Sequence, residues 1–234
     1  MEPGDNGMMK TKVLLVRSVE FDKVSKSLTP LGELQVESLA ETLGVKGFQP
    51  DCFRTAAYEA DSWTTAYFLK EAFRGRSGPD VQTLRELSIP DTSLPRNKEI
   101  AGLITQYPNL PLSTYAGQPG YRALLSQSRL ALREIRKHVS PDQHQQIIIC
   151  SRHGHVLSSL ALDWVSEMIF VGFKLCPAAH LPSYPIEAGD LCYAATEFAL
   201  GPGQGLMFSY DASDPASRKV GSIQFINPEA NIRS

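Results

Sequence analysis

The chain has 234 residues, of which 42% are hydrophobic, and it carries 23 basic and 25 acidic residues. This length and apolar content can build a sizeable core, and we expect one large α/β domain rather than two small ones. The formal net charge of −2 argues against nucleic acid and anionic membranes as partners, because such binding depends on an excess of basic residues.

The cysteines and the N-terminus restrict the class of protein further. The four cysteines lie far apart without metal-ligand spacing, so we expect free thiols, no metal site and no cofactor; they are Cys52, Cys150, Cys176 and Cys192. Residues 1–10 are polar and predict a disordered tail rather than a signal peptide. No apolar run is long enough to span a membrane, and together these features predict a cytoplasmic protein whose residues 11–234 form a single domain.

Two unbroken apolar runs predict buried central strands. The first, Val13 to Val16, ends at Arg17, and the second, Gln146 to Cys150, ends at Ser151. Ligands of parallel sheets bind just beyond the carboxyl ends of the strands. We therefore expect the functional site at Arg17–Glu20 and at the residues that follow Cys150.

Helical spacing and turn residues give the remaining elements. Thr29 and Pro30 are suited to the N-cap and first position of a helix that ends at Gly44. Its predicted inward face includes Leu31 and Leu34, and that of a second helix, from Tyr58 to Phe73, includes Trp63, Tyr67 and Phe68. The other predicted elements are a strand at 49–55, an edge strand at 81–87, helices at 121–139 and 156–170, a strand at 190–197 and a hairpin at 206–227. Gly201–Gly205 is predicted to form a hairpin turn rather than a phosphate-binding loop.

The segment 88–120 is predicted to be a loop-rich insertion. It contains five prolines around one short helix near 98–106. Loops of this length in a compact domain often serve as lids or partner surfaces.

The residues after both apolar strands resemble the histidine phosphatase superfamily. That family opens with a strand ending in Arg-His-Gly-Glu, then Leu-Thr-x-x-Gly-x-x-Gln, and the chain has Arg17-Ser18-Val19-Glu20 and then Leu28 to Gln35. Its second motif, Ser-His-Gly-x-Val, resembles Ser151 to Val156 with Arg152 as a departure, and it places His153 as the second pocket histidine. The resemblance implies a three-layer α/β/α fold with a mostly parallel sheet, phosphoglycerate mutase-like.

The same alignment shows three departures at the pocket. Ser18 stands where the family has its phosphate-accepting histidine, and Val19 stands where it has glycine. Asp61 stands at the phosphate-binding arginine, which replaces attraction toward a phosphate with repulsion. In active relatives the insertion supplies an acid, but residues 116–121 contain none and Glu99 is the only carboxylate near.

We therefore predict a catalytically inactive relative that keeps the fold for binding, scaffolding or regulation, with residual anion binding at Arg17, Ser18 and His153. The alternative is a divergent phosphatase acting on a small phosphorylated substrate, with Ser18, His153 or His155 as nucleophile. For His155 we favour a capping or surface role.

Two questions stay open on the sequence alone. Arg54 or Arg152 could supply the missing pocket cation, and a single sequence does not say which. The partner could be a phosphorylated small molecule or a protein, and a protein contact could be carried by the 88–120 segment.

Overall fold

The computed structural model describes residues 10–74, 79–90, 92–137, 145–175, 199–211 and 220–228. The predicted tail, apart from Lys10, and the predicted strand at 190–197 lie outside the described residues, as do Cys176 and Cys192. The structure leaves Cys52 and Cys150 as free thiols, as predicted.

The described residues form eight strands and five helices that follow the predicted order. The strands are β1 (Lys10–Arg17), β2 (Phe21–Asp22), β3 (Ser27–Leu28), β4 (Cys52–Ala56), β5 (Val81–Leu84), β6 (Gln146–Ser151), β7 (Gly205–Asp211) and β8 (Val220–Ile226). The helices are α1 (Pro30–Val45), α2 (Ala60–Arg74), α3 (Pro95–Gln106), α4 (Tyr121–Arg136) and α5 (Gly154–Leu175), and short 3₁₀ turns occupy Arg85–Leu87 and Leu112–Tyr115.

Six strands form the central sheet in the order β5-β4-β6-β1-β7-β8. The strands β5, β4, β6 and β1 run parallel to one another, while β7 runs antiparallel to both β1 and β8. The pairing of β1 with β6 runs from Lys12 opposite Gln146 to Arg17 opposite Ser151. The two predicted central strands are therefore neighbours, and their functional ends lie side by side.

Alternating side chains of β1 and β6 cover both faces of the sheet. Val13 and Leu15 pack in one cluster with residues of α4 and α5, including Trp164. Leu14 and Val16 pack in a second cluster with residues of α1 and α2. This alternation follows from the period of two in a strand, and it confirms the three-layer α/β/α fold with a mostly parallel sheet.

Helix α1 begins as predicted, but its buried face differs. Thr29 caps the helix by accepting a hydrogen bond from the Gly32 N–H at 3.1 Å. The predicted inward residues Leu31 and Leu34 are exposed. The reason is the close approach of the backbone at Gly32, where an added Cβ would lie 2.0 Å from the Glu20 carbonyl oxygen. This contact fixes the helix rotation, and the helix continues past Gly44 to Val45.

Helix α2 is also rotated relative to the prediction. Trp63 and Phe68, predicted to face inward, are 43% and 42% exposed. The buried face instead carries polar residues of the first turns, among them Asp61, Ser62 and Thr65. These residues are buried because their side chains bond to the ends of β1 and β6, as described below, and the aromatic residues are turned toward solvent.

No helix in the described part of the chain is long and apolar enough to cross a membrane.

Candidate functional site

The functional ends of β1 and β6 are joined by backbone hydrogen bonds and covered by a turn at 201–204. The Ser18 N–H donates to the Ser151 carbonyl at 3.0 Å, and the Arg17 N–H donates to the Gln204 carbonyl at 2.9 Å. Gly203, with φ of 71°, donates from its N–H to the Arg17 and Ser18 carbonyls. Gly201–Gly205 forms a turn that precedes β7 and closes over the end of β1, and the strand predicted before it, 190–197, lies outside the described residues.

The guanidinium of Arg17 is engaged by main-chain and amide oxygens. Its Nε donates to the Arg152 carbonyl at 3.1 Å, and its Nη1 lies 2.7 Å from the Leu200 carbonyl. The same Nη1 lies 2.7 Å from Asn109 Oδ1 and 3.3 Å from the Pro108 carbonyl. Burial lowers the pKa of Arg17, and the nearby Asp61 carboxylate opposes that shift. The cation predicted to hold an anion is thus surrounded by the protein's own acceptors.

Ser18 belongs to a buried chain of hydroxyl groups. Its Oγ lies 2.9 Å from Ser62 Oγ, and the Ser62 hydroxyl donates to Glu59 Oε2 at 2.8 Å. Because Ser62 uses its proton toward Glu59, Ser18 is the donor to Ser62. Val19 lies in the core cluster of α1 and α2, and its N–H donates to Thr65 Oγ1 at 3.2 Å.

Asp61 forms an ion pair with Arg152, which follows the end of β6. Arg152 Nε lies 2.8 Å from Asp61 Oδ2, and the Arg152 N–H donates to Glu59 Oε2 at 2.9 Å. Arg54 is buried in β4 on the face that carries Ala56, which packs toward α4 and α5, and its Nη1 donates to the Phe53 carbonyl. The structure therefore brings Arg152, rather than Arg54, into the site.

His153 lies in the same pocket beside Glu59. Its Nε2 is 3.8 Å from Glu59 Oε1. Burial lowers the pKa of His153 to about 3, and the positive charges of Arg152 and Arg17 add to this shift. Burial also raises the pKa of the Glu59 carboxyl, against the effect of its hydrogen bonds with Arg152 and Ser62. The imidazole is therefore neutral at physiological pH.

His155 does not have the capping or surface role that we favoured from the sequence. Its ring is 3% exposed, and Nε2 lies 2.8 Å from the Leu110 carbonyl. It packs edge-on against Tyr115, whose hydroxyl donates to the Tyr107 carbonyl at 2.7 Å. Burial lowers the pKa of His155 to about 4, so it is neutral and donates from Nε2 to Leu110.

These contacts fix residues 107–110, the covering loop, over the pocket. Arg17 binds its Pro108 carbonyl and Asn109 amide oxygen, while His155 and Tyr115 bind the carbonyls at its two ends. The covering loop comes from the predicted 88–120 segment. This segment contributes an amide oxygen to the site, whereas Glu99 is exposed on α3.

We refer to Arg17, Ser18, Glu59, Asp61, Ser62, Arg152 and His153 as the polar pocket. The sequence reasoning found five of them and missed Glu59 and Ser62 as functional residues. It also missed Asn109 outside the pocket. The spacing Glu59-x-x-Ser62 at the start of α2 was the only local signal for the first two, and nothing local marks Asn109, which lies 92 positions from Arg17. Among the described residues, no group of three or more His, Cys, Asp or Glu side chains could hold a metal ion.

Comparisons with known proteins find likeness in structure but not in sequence. No model of a known protein family matches the chain, and no curated protein matches it. A mycobacterial glucosyl-3-phosphoglycerate phosphatase, solved in complex with VO3, superposes with a TM-score of 0.51 at 13% identity, covering 92% of this chain and 96% of that chain. The product of an open reading frame of Mycobacterium tuberculosis gives 0.51 at 15% identity, covering 93% and 96%.

A third solved structure, a mycobacterial hydrolase, gives a TM-score of 0.50 at 14% identity and covers 94% of this chain and 91% of that chain. At such identities the likeness concerns the fold alone. The protein therefore shares the phosphoglycerate mutase-like α/β/α fold of these solved structures, which is the fold that the sequence predicted.

Proposed function

We propose that the protein is a catalytically inactive histidine phosphatase-like protein, a pseudophosphatase, that retains the fold for binding, scaffolding or regulation. One observation carries the proposal: the protein's own carboxylate, amide and carbonyl oxygens bind Arg17 through Nε and Nη1 and Arg152 through Nε. Arg152 is paired with Asp61, and Arg17 donates to the Arg152, Leu200 and Asn109 oxygens. A phosphate would compete with these acceptors for the two guanidinium groups.

Charge supports the same conclusion. Glu59 and Asp61 place two carboxyl groups in the pocket, and Asp61 forms an ion pair with Arg152. Near a protein surface, two like charges about 4 Å apart repel by about 4 kcal/mol. A phosphate dianion in the pocket would meet this repulsion, while the compensating cation is already bound to Asp61.

The groups for phosphoryl transfer are also poorly placed. Transfer through a phosphohistidine needs an imidazole nucleophile, and Ser18 occupies that position with its hydroxyl directed to Ser62. His153 is neutral, so it adds no positive charge to stabilise a phosphoryl group.

A second candidate is a divergent phosphomonoesterase, favoured by the chain Ser18–Ser62–Glu59. Attack by Ser18 Oγ on phosphorus would form a phosphoserine as the ester bond breaks, the Ser18 proton would pass through Ser62 to the Glu59 carboxylate, and the leaving alcohol would take a proton from water. Water would then hydrolyse the phosphoserine and release phosphate. The raised pKa of Glu59 suits a proton acceptor. His155 is less favoured as the nucleophile, because it is buried and bonded to the covering loop.

Two measurements on the purified protein test the proposal. Thermal midpoints followed against phosphate and vanadate are expected to show no shift at millimolar ligand, and Arg17→Ala serves as the control for the pocket. The charge-neutral variant Glu59→Gln/Asp61→Asn is expected to gain a ligand-dependent rise, because the repulsion is removed while Arg17 and Arg152 remain.

The second measurement is turnover of p-nitrophenyl phosphate, with intact-mass analysis for a phosphorylated protein. We expect neither turnover nor adduct. Turnover that disappears in Ser18→Ala, or in His153→Ala, would contradict the proposal and support the phosphomonoesterase.

A further inference from the structure

A cleft of about 1510 Å³ opens beside the polar pocket, where β4 and β5 end. One side is formed by Tyr58 and residues 85–90, and the other by the loop 116–120 and the first turns of α4. No member of the polar pocket lines it. Tyr58 connects the two sites, because it precedes Glu59 in the chain.

The first wall of the cleft is fixed by side chains of α4 and β6. Three successive carbonyls accept hydrogen bonds: Glu86 and Ser88 from Gln127 Nε2 of α4, and Leu87 from Ser151 Oγ of β6 at 2.9 Å. The Ser88 hydroxyl in turn donates to the Ala57 carbonyl at 2.9 Å. A wall held in this way is present before any ligand arrives.

The second wall is anchored through the loop 116–120. The Gln118 N–H donates to the carbonyl of buried Tyr115 at 2.9 Å, and Gly120, with φ of 84°, leads into α4. A preformed cleft loses little conformational entropy on binding, which is the usual condition for a specific site.

The size of the cleft indicates the class of ligand. Sites for small molecules commonly enclose about 300–1,000 Å³. A cleft of about 1510 Å³ exceeds that range, and its two walls come from different parts of the chain. This volume suits an extended peptide segment better than a metabolite.

The lining combines exposed apolar side chains with basic groups. Tyr58 is 96% exposed and holds a left-handed backbone conformation, with φ of 64°, and Leu130 of α4 is also exposed. Arg85 and Arg122 are exposed in the lining, and Glu86 is the only acidic residue among the described lining residues. Side chains held at positive φ outside glycine concentrate at functional positions.

We propose that the cleft binds an extended peptide segment of a partner protein that carries an acidic side chain next to an apolar one. The acidic group pairs with Arg122, and the apolar group packs on Tyr58 and Leu130. This binding uses no atom of the polar pocket, so it does not depend on whether that pocket is active.

The test is selection of displayed short random peptides on the full chain, followed by fluorescence polarisation with the enriched peptides. We expect the enriched sequences to combine acidic and apolar residues. Arg122→Glu is expected to weaken binding at least about fivefold, and Tyr58→Ala at least about tenfold. The matched control is Arg133→Glu, a charge reversal at an exposed position of α4 outside the cleft, which is expected to leave the affinity unchanged.

Enrichment that yields no sequence class, or peptides whose affinity is the same in wild type, Arg122→Glu and Tyr58→Ala, would overturn the inference. Enriched peptides that are basic would overturn the assigned charge. Thermal midpoints of the variants check that each remains folded. The proposed function is judged separately by turnover and phosphate binding, so either can fail while the other holds.

Discussion

The polar pocket and the cleft both lie beyond the carboxyl ends of the strands, but the hydrogen bonds of the two sites serve different groups. In the pocket, Arg17 and Arg152 are bound by oxygens of the protein itself, and the covering loop lies over the site. In the cleft, the hydrogen bonds serve the main chain of the walls, while Arg122 and Tyr58 extend into the opening.

This difference teaches where the binding capacity of the protein lies. A site whose donors and acceptors are paired internally gives up little free energy to a ligand, because each new bond replaces an existing one. In the cleft the hydrogen bonds hold the main chain of the walls, and the exposed side chains of Arg122 and Tyr58 remain available to a ligand. The position that the family resemblance marks is thus the less available of the two.

The largest effect is expected for Gly32→Ala, which acts on the backbone behind the pocket. The added Cβ would lie 2.0 Å from the Glu20 carbonyl oxygen, so α1 or the segment after β1 must move. We expect a loss of about 3 kcal/mol in the free energy of unfolding, measured by urea denaturation. The control is Gly44→Ala in the same helix, where nothing lies within 4 Å and about 0.5–1 kcal/mol of stabilisation is expected. Equal midpoints for the two variants would contradict the close approach.

The second effect concerns Glu59 as the acceptor at the centre of the pocket. Glu59→Ala leaves the Ser62 hydroxyl and the Arg152 N–H without their acceptor, and we expect a loss of about 2 kcal/mol in unfolding free energy. Glu59→Gln retains an amide oxygen and is expected to lose less than half as much. If both variants unfold like wild type, the pocket is not internally satisfied in the way described.

Acid pH should weaken the fold through the pocket and the covering loop. The pKa of His153 is lowered from 6.5 to about 3 and that of His155 from 6.5 to about 4, so both are neutral in the folded protein. Below pH 6.5 the unfolded chain binds protons that the folded chain does not, and stability falls until the pH reaches the folded pKa values. The raised pKa of Glu59 acts in the opposite sense, since its contribution is lost as pH rises.

We expect a net loss on the order of 2 kcal/mol between neutral pH and about pH 4, measured by urea unfolding at each pH. His153→Gln should reduce the slope of stability against pH, because the titrating imidazole is removed. A slope identical to that of wild type would show that His153 does not contribute.

The smallest effect tests the cleft. Tyr58→Gly removes the cost of a left-handed backbone at a residue with a Cβ, and we expect about 0.5 kcal/mol of stabilisation, with loss of peptide binding. Lys26, with φ of 55° in the turn between β2 and β3, offers the matched control. Lys26→Gly should give a similar stabilisation without any effect on the peptide. A Tyr58→Gly variant that binds peptide like wild type would remove Tyr58 from the site.

The sequence predicts the sheet well because the central strands depend on local pattern. The apolar runs of β1 and β6 are buried on both faces, and the pair Thr29-Pro30 predicts the N-cap and first residue of α1. The rotation of α1 and α2 could not be predicted in this way. The contacts of Gly32 with Glu20, and of Ser62 and Thr65 with Ser18 and Val19, place polar or small residues inside, and hydrophobic periodicity gives them no weight.

The site was only partly predictable for a related reason. Arg17, Ser18, Asp61 and His153 were identified because family motifs mark their positions. The partners that determine their state are Glu59, Asn109 and the Leu200 carbonyl, and they are chosen by tertiary packing, so a short stretch of sequence does not reveal them.

The hydrogen bonds of Arg17 also bear on how the chain folds. They connect it to residues 91, 92, 135 and 183 positions away, so the guanidinium finds its partners only after nearly the whole chain has collapsed. Contacts that require such large loop closures are expected to form late in folding, after the transition state. Arg17 should therefore stabilise the protein mainly by slowing unfolding, and the folding rate should be almost indifferent to it.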